Sequence, residues 1–190
     1  MNCIDIISRA LRRIGVVAGG ELPTDIEAQD ALETLKSIYA RLLTEGAFGE
    51  ITSTIPASAY TAGENERVII STLAVTDVEL PETITECGRE RPVRDGAIIV
   101  IANHLTNQTT TYVRDGQANV WCDMDNLDLT SAAPLSRRDA IGLSSYLALE
   151  LCDEYRQQPS EITIRNAARF TMGITHNWSE PQTIGRGVYF

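Results

Sequence analysis

The chain has 190 residues, 43% hydrophobic and 22% charged, a composition ordinary for a soluble globular protein and unlike that of a disordered one. Its 26 acids against 16 Lys and Arg give a net charge of -10. That balance disfavours tight binding to duplex phosphates, which takes clustered cations, yet suits a surface that DNA passes without sticking.

Asp5 and Arg9 interrupt the apolar residues at the N-terminus, and no segment reaches the roughly 20 apolar residues that span a bilayer. Neither a secretion signal nor a membrane span is expected, and the protein is expected to be made in the cytosol. Asn2 can cap a first helix in which Ile4, Ile7, Leu11 and Ile14 recur at helical spacing, with Ala10 filling in and Gly15 stopping it. Arg9, Arg12 and Arg13 lie towards its negative end. Gly19, Gly20 and Pro23 form a short link of the kind that joins packed neighbours.

The clearest element follows. Between Thr24 and Gly46, the residues Ala28, Ala31, Leu32, Leu35, Ile38, Tyr39, Leu42 and Leu43 fall at three- and four-residue steps, one stripe on a helix of about six turns. Thr24 and Glu27 have capping-box spacing, Asp25 and Glu27 suit the positive end of the dipole, and Gly46 supplies a closing residue. A DNA-reading helix-turn-helix is not the expected reading of this pair, because the second helix is acidic and longer than that motif requires. It is expected to be the spine of a bundle.

From residue 50 to 133 the helical stripes give way to short β-branched runs between turn residues, and strands are expected at Arg67 to Ile70, Ala97 to Asn103, Thr109 to Arg114 and Asn119 to Asp123. Val-Arg-Asp-Gly occurs at Val93 to Gly96 and again at Val113 to Gly116. Asp-Gly tolerates the positive φ of a hairpin turn, so a turn at Asp115 and Gly116 is expected to join the last two strands; an exposed Arg-Asp binding motif is the sharper alternative.

After Pro134 the helical period returns. Ser136 and Asp139 have capping-box spacing ahead of Ile141, Tyr146, Leu147, Ala148, Leu149, Leu151, Cys152 and Tyr155, and small Gly142, Ser144 and Ser145 permit close approach, which places this helix centrally. Pro159 ends it, Ser160 can cap again, and Ile162, Ala167, Ala168, Phe170, Thr171, Ile174 and Trp178 make a fourth helix. Pro181, Gly185 and Gly187 deny a helix to the last residues. The fold class read from this order is α+β: a four-helix core contributed by residues 1–49 and 134–178, an inserted antiparallel β region at 50–133, and an extended tail at 179–190.

No chemistry is written in local motifs. Cys3, Cys87, Cys122 and Cys152 are scattered, and His104 and His176 lie in different elements without a nucleophile or metal-ligand spacing nearby. Asp123, Asp125 and Asp128 lack the glycine and closing glutamate of a calcium loop. No catalytic, cofactor-binding or metal residue is assigned, and no cofactor is expected. Dispersed acids leave a cell-wall hydrolase as one alternative, and a small DNA-binding regulator as another.

Ala10-Leu-Arg-Arg-Ile-Gly15, the run from Thr24 to Leu35, Leu147 to Tyr155 and Ala167-Ala168, taken in that order, resemble the head-to-tail adaptor, or connector, proteins of tailed bacteriophages, related to the tail accessory factors that stabilise packaged DNA. Pro92 to Ala97, Trp121 and Ala133 to Arg137 look like the inserted β region of longer adaptors. The resemblance implies a non-enzymatic virion protein at the head-tail junction, assembled in the host cytoplasm. It would form a homo-oligomeric ring, expected to be a dodecamer, beneath the portal protein. The ring would extend the DNA channel and give a platform to the next tail component, whether nozzle, tube or terminator. DNA would pass without specific binding, and no membrane is involved. Family members dock on the portal through an extended C-terminal tail, a part that would fall here to Ile184, Val188, Tyr189 and Phe190. The acidic face of the long helix, Glu27, Asp30 and Glu33, would then meet a neighbouring subunit or line the channel.

Overall fold

The computed structural model describes residues 1–45, 49–50, 60–62, 68–72, 80, 82–86, 89–93, 96–103, 108–115 and 119–176. Four helices stand among them, α1 (Cys3–Arg13), α2 (Asp25–Thr44), α3 (Ser136–Glu154) and α4 (Glu161–His176). Between α2 and α3 run β1 (Gly49–Glu50), β2 (Tyr60–Ala62), β3 (Val68–Thr72), β4 (Thr83–Glu86), β5 (Arg89–Pro92), β6 (Ala97–Asn103), β7 (Gln108–Asp115) and β8 (Val120–Asp123). The class is α+β, with an antiparallel sheet β6–β7–β8 at its centre.

The pairing is not antiparallel throughout. β3 and β1 both run parallel to β6, while β2 pairs antiparallel with β3 and β4 with β5. A parallel pair cannot be joined by a tight turn, and β3 and β6 stand far apart in the chain, with the antiparallel pair β4 and β5 between them in sequence.

The helices pack around α3, which touches α1, α2 and α4; α2 packs on α1 and α3. The long helix is therefore a flank, and the centre lies in α3. The sequence explains why: α3 buries Leu143, Ser144, Ser145, Leu147, Ala148, Leu151 and Cys152, a wider face than the stripe of α2, and small side chains let the neighbours come close. α2 buries a single stripe, Ala28, Ala31, Leu32, Leu35, Ile38, Tyr39 and Leu42, with Leu43 at its edge.

One buried cluster joins the helices to Ile98, Val113, Cys122, Met124 and Leu127 of the β region. The start of α1 is strapped to the segment after β8. Cys3 N–H donates to the Ser131 carbonyl at 2.9 Å, Ile4 N–H to Leu129 at 3.0 Å, and Ala133 N–H to Met1 at 2.9 Å. The first two satisfy first-turn donors that have no partner inside the helix, and the third ties the residue before the N-cap to the same segment. The buried face of α1 is Cys3, Ile6, Ile7, Ala10, Leu11 and Ile14, with Ile4 only half-buried, so the stripe is turned slightly from the expected one.

Most helix ends follow local chemistry. Gly15, at φ +76°, closes α1, with Val16 N–H reaching back to the Leu11 carbonyl at 3.0 Å. Glu27 accepts from Thr24 N–H at 2.8 Å while Thr24 Oγ1 accepts from Glu27 N–H at 3.3 Å. Ser160 Oγ accepts from Thr163 N–H at 3.2 Å and caps α4. The expected Ser136–Asp139 box does not form. Leu135, in the left-handed region, precedes a single turn, and Asp139 leaves helical geometry at φ -155° and ψ 83°. Asp139 itself then caps the long part of α3, accepting from Gly142 N–H at 2.7 Å.

No helix of the described residues is long and apolar enough to cross a membrane. Gly46, Cys87, His104 and Trp178 lie outside the described residues.

Candidate functional site: the exposed helix faces

Among the described residues, α2 and α4 each leave one side exposed that carries large apolar side chains beside charged ones. On α2 the side opposite the buried stripe carries Ile26, Asp30, Glu33, Ser37 and Ala40, all exposed. Ile26 is 75% exposed and Leu22, just before the helix, 76%, so an apolar step leads into an acidic face. Glu33 holds Lys36 at 2.8 Å on its own helix.

Glu27 lies apart from this face. Its carboxylate accepts from both Thr24 N–H and Thr24 Oγ1 at 2.8 Å, and these bonds hold it below the usual carboxylate range. It is a capping group, whereas Asp30 and Glu33 point outward. Of the three acids grouped on one face by sequence, Glu27 is engaged in the cap of α2, and Asp30 and Glu33 are exposed.

On α4 the buried row is Thr163, Ala167, Phe170 and Ile174, at steps of four, three and four. Ile162 and Ala168, expected in the apolar stripe, are outside it. Thr163 can take the inner position because its hydroxyl is paired with Ser160 Oγ at 2.9 Å. The outer side presents Ile164, Ala168 and Met172 at four-residue steps, with Arg165 and Arg169 beside them. Ile162 and Met172 are 64% and 70% exposed. Scattered surface apolars need no explanation; a row of them along one helix is a contact candidate.

Between these faces α2 and α3 are tied by Arg41, whose Nη2 lies 2.8 Å from Glu150 Oε1 and whose guanidinium stacks on Tyr146 at 5.1 Å. Tyr39 donates its hydroxyl proton to the Pro134 carbonyl at 2.8 Å in the interior. Tyr155, at the end of α3, has its hydroxyl pushed up in pKa by burial and then by Glu154, Glu27 and Asp30, which sets the start of α2 beside the end of α3.

The acids at the end of β8 and just after it build turns. Asp123 Oδ1 accepts from Asp125 N–H at 2.9 Å and Asn126 N–H at 3.2 Å, and Asp125 Oδ2 from Thr111 N–H at 3.2 Å. Asp128 Oδ1 accepts from Thr130 and Ser131, through hydroxyls and N–H groups at 2.6–2.9 Å. Those bonds hold the Asp128 carboxyl below its ordinary range. Among the described residues, no group of three or more His, Cys, Asp or Glu side chains could hold a metal ion.

The second Val-Arg-Asp-Gly copy is not an exposed motif. Arg114 is 2% and Asp115 0% exposed. Arg114 donates to Asn119 Oδ1 and lies over the Trp121 ring at 5.6 Å, and burial lowers its pKa. Asp115 pairs with Val120, so the β7–β8 connection is residues 116–119, longer than a two-residue turn at Asp115 and Gly116, and Asn119 takes the positive φ of 57°. The copies touch: Gly96 N–H donates to the Arg114 carbonyl at 2.8 Å. The Cys3 thiol is pushed up to about 12 by burial, helped by Asp128 and Asp115.

Ile184, Val188, Tyr189 and Phe190, expected to dock on a portal, lie outside the described residues. His176 ends α4. The outward placement of Ile164, Met172 and the two arginines was missed by sequence reading; the signal available was the i, i+4 spacing of Arg165 and Arg169. No protein-family model matches the chain, and comparison with curated proteins finds no match.

Proposed function

We propose that this protein is a structural head-to-tail adaptor of a tailed bacteriophage. Copies form a ring, twelve-fold by the family resemblance, beneath the portal. The ring prolongs the DNA channel and receives the next tail component. The observation that carries the reading is the order of the fold: two helices, a β region, then two helices, with α3 central and the outer faces of α2 and α4 left uncovered. Faces left over by a filled core are what a ring needs. The net charge of -10 supports a channel wall that repels DNA and lets it slide.

In this reading the β region is an insertion between the halves of a helical core, and residues 179–190 are the portal-docking tail. Ile184, Val188, Tyr189 and Phe190 are its anchors, with Tyr and Phe burying much area for few rotatable bonds. Deleting Ile184 to Phe190 weakens binding to a purified portal ring while the circular dichroism spectrum and unfolding midpoint stay unchanged. Undiminished portal binding would remove the tail from the account.

A further inference from the structure

The outer face of α4 is basic and apolar in an acidic chain. In a protein with 26 acids and 16 Lys and Arg, Arg165 and Arg169 stand one turn apart on an exposed face, and neither forms an ion pair with a described residue. Beside them Ile164, Ala168 and Met172 make an apolar row. The outer face of α2 has the converse character. Leu22 and Ile26 are exposed at its start, and Asp30 and Glu33 follow on the same side.

We propose that the α4 face of one copy seats the α2 face of a second copy. The apolar residues of each would cover those of the other, and the arginines would flank the seam opposite Asp30 and Glu33. The spacings agree: four residues of helix set the arginines about 6 Å apart and three set the acids about 4.5 Å apart, a difference that long arginine side chains absorb. Charge also selects the partner. Two copies of so acidic a chain repel over most of their surface, and this basic patch, which has an apolar row beside it, is a place where a neighbour's acids find attraction. The contact joins unlike faces, so each bound copy keeps one acidic and one basic face free, and addition continues until a ring closes. The inference rests on the ring-forming reading above and names the surfaces that make the ring.

Two variants and their mixture test it. Asp30→Lys/Glu33→Lys makes both faces basic, and Arg165→Glu/Arg169→Glu makes both acidic. By sedimentation at low salt the natural chain assembles beyond a dimer, and added salt dissociates it. Each variant alone, folded by circular dichroism, associates about tenfold more weakly or worse. An equimolar mixture recovers assembly, because every contact then joins opposite charges. Natural-level assembly by either variant alone, or failure of the mixture to recover, overturns the pairing while leaving the ring reading intact. A natural chain that stays monomeric at every concentration also overturns it; binding of that monomer to a portal ring would preserve the adaptor reading.

Discussion

Gly142 offers the sharpest test of the packing around α3. An alanine Cβ there would lie 2.5 Å from Phe170 Cβ and 2.7 Å from Asp139 Cγ, with the Asp139 Oδ2 oxygen closer still. Ordinary carbon contacts need about 3.5–4 Å, so Phe170, fixed to the α4 backbone, must retreat by about 1 Å. Asp139 must swing away and give up its cap on Gly142 N–H. Overpacking costs about 1–3 kcal/mol and loss of the cap about 1, against a helix-propensity gain of about 1 from replacing glycine. The net expectation is destabilisation by about 1–3 kcal/mol. Gly173 in α4 is the control, because a Cβ there meets nothing within 4 Å, so Gly173→Ala stabilises by up to about 1 kcal/mol. Urea unfolding of both variants, compared at unchanged slope, reads the two signs. A Gly142→Ala protein as stable as the Gly173→Ala one would refute the close approach of α3 and α4.

The capping carboxylate of Glu27 gives a pH dependence. Its folded pKa lies below the unfolded one, so its contribution is complete above the unfolded value, about 4.3, and is lost as pH falls through the folded value. The natural chain therefore loses more stability between neutral pH and pH 3 than Glu27→Gln does, measured by urea midpoints across that range; equal losses would contradict it. Tyr39→Phe removes the buried bond to the Pro134 carbonyl and costs about 1–2 kcal/mol by the same assay. Cys3, Cys122 and Cys152 are buried thiols, so a neutral-pH thiol reagent labels none of the three until the protein unfolds, as peptide mass mapping would read.

What could be read from the chain divides along local and non-local lines. The start of α2 is spelled out within four residues, and its stripe within its own twenty, so both were legible. Ala97 to Asn103 was legible as a strand because its β-branched run stands apart from its flanks. β4 and β5, Thr-Ile-Thr-Glu and Arg-Glu-Arg-Pro, offer no apolar alternation, and each forms because the other is beside it. The parallel pairing of β3 with β6 is a choice of partner that neither strand records. At the start of α3, Ser136 and Asp139 have capping spacing, yet the turn of the chain at Leu135 and the approach of Phe170 to Gly142 move the cap to Asp139. The same holds for the faces: Ile162 and Thr163 could each have led the inner row of α4, and the bond from Thr163 to Ser160 accompanies the outcome. Arg114 reads as surface in any sequence, and only Trp121 and Asn119 across the hairpin make its burial intelligible.

The proposed role places copies of this chain in a ring seated under a portal. Electron microscopy of the purified protein mixed with a portal ring tests it most directly. The expected image is an added ring coaxial with the portal, with an open channel continuous through both. Portal rings that stay bare at saturating protein concentration would contradict it.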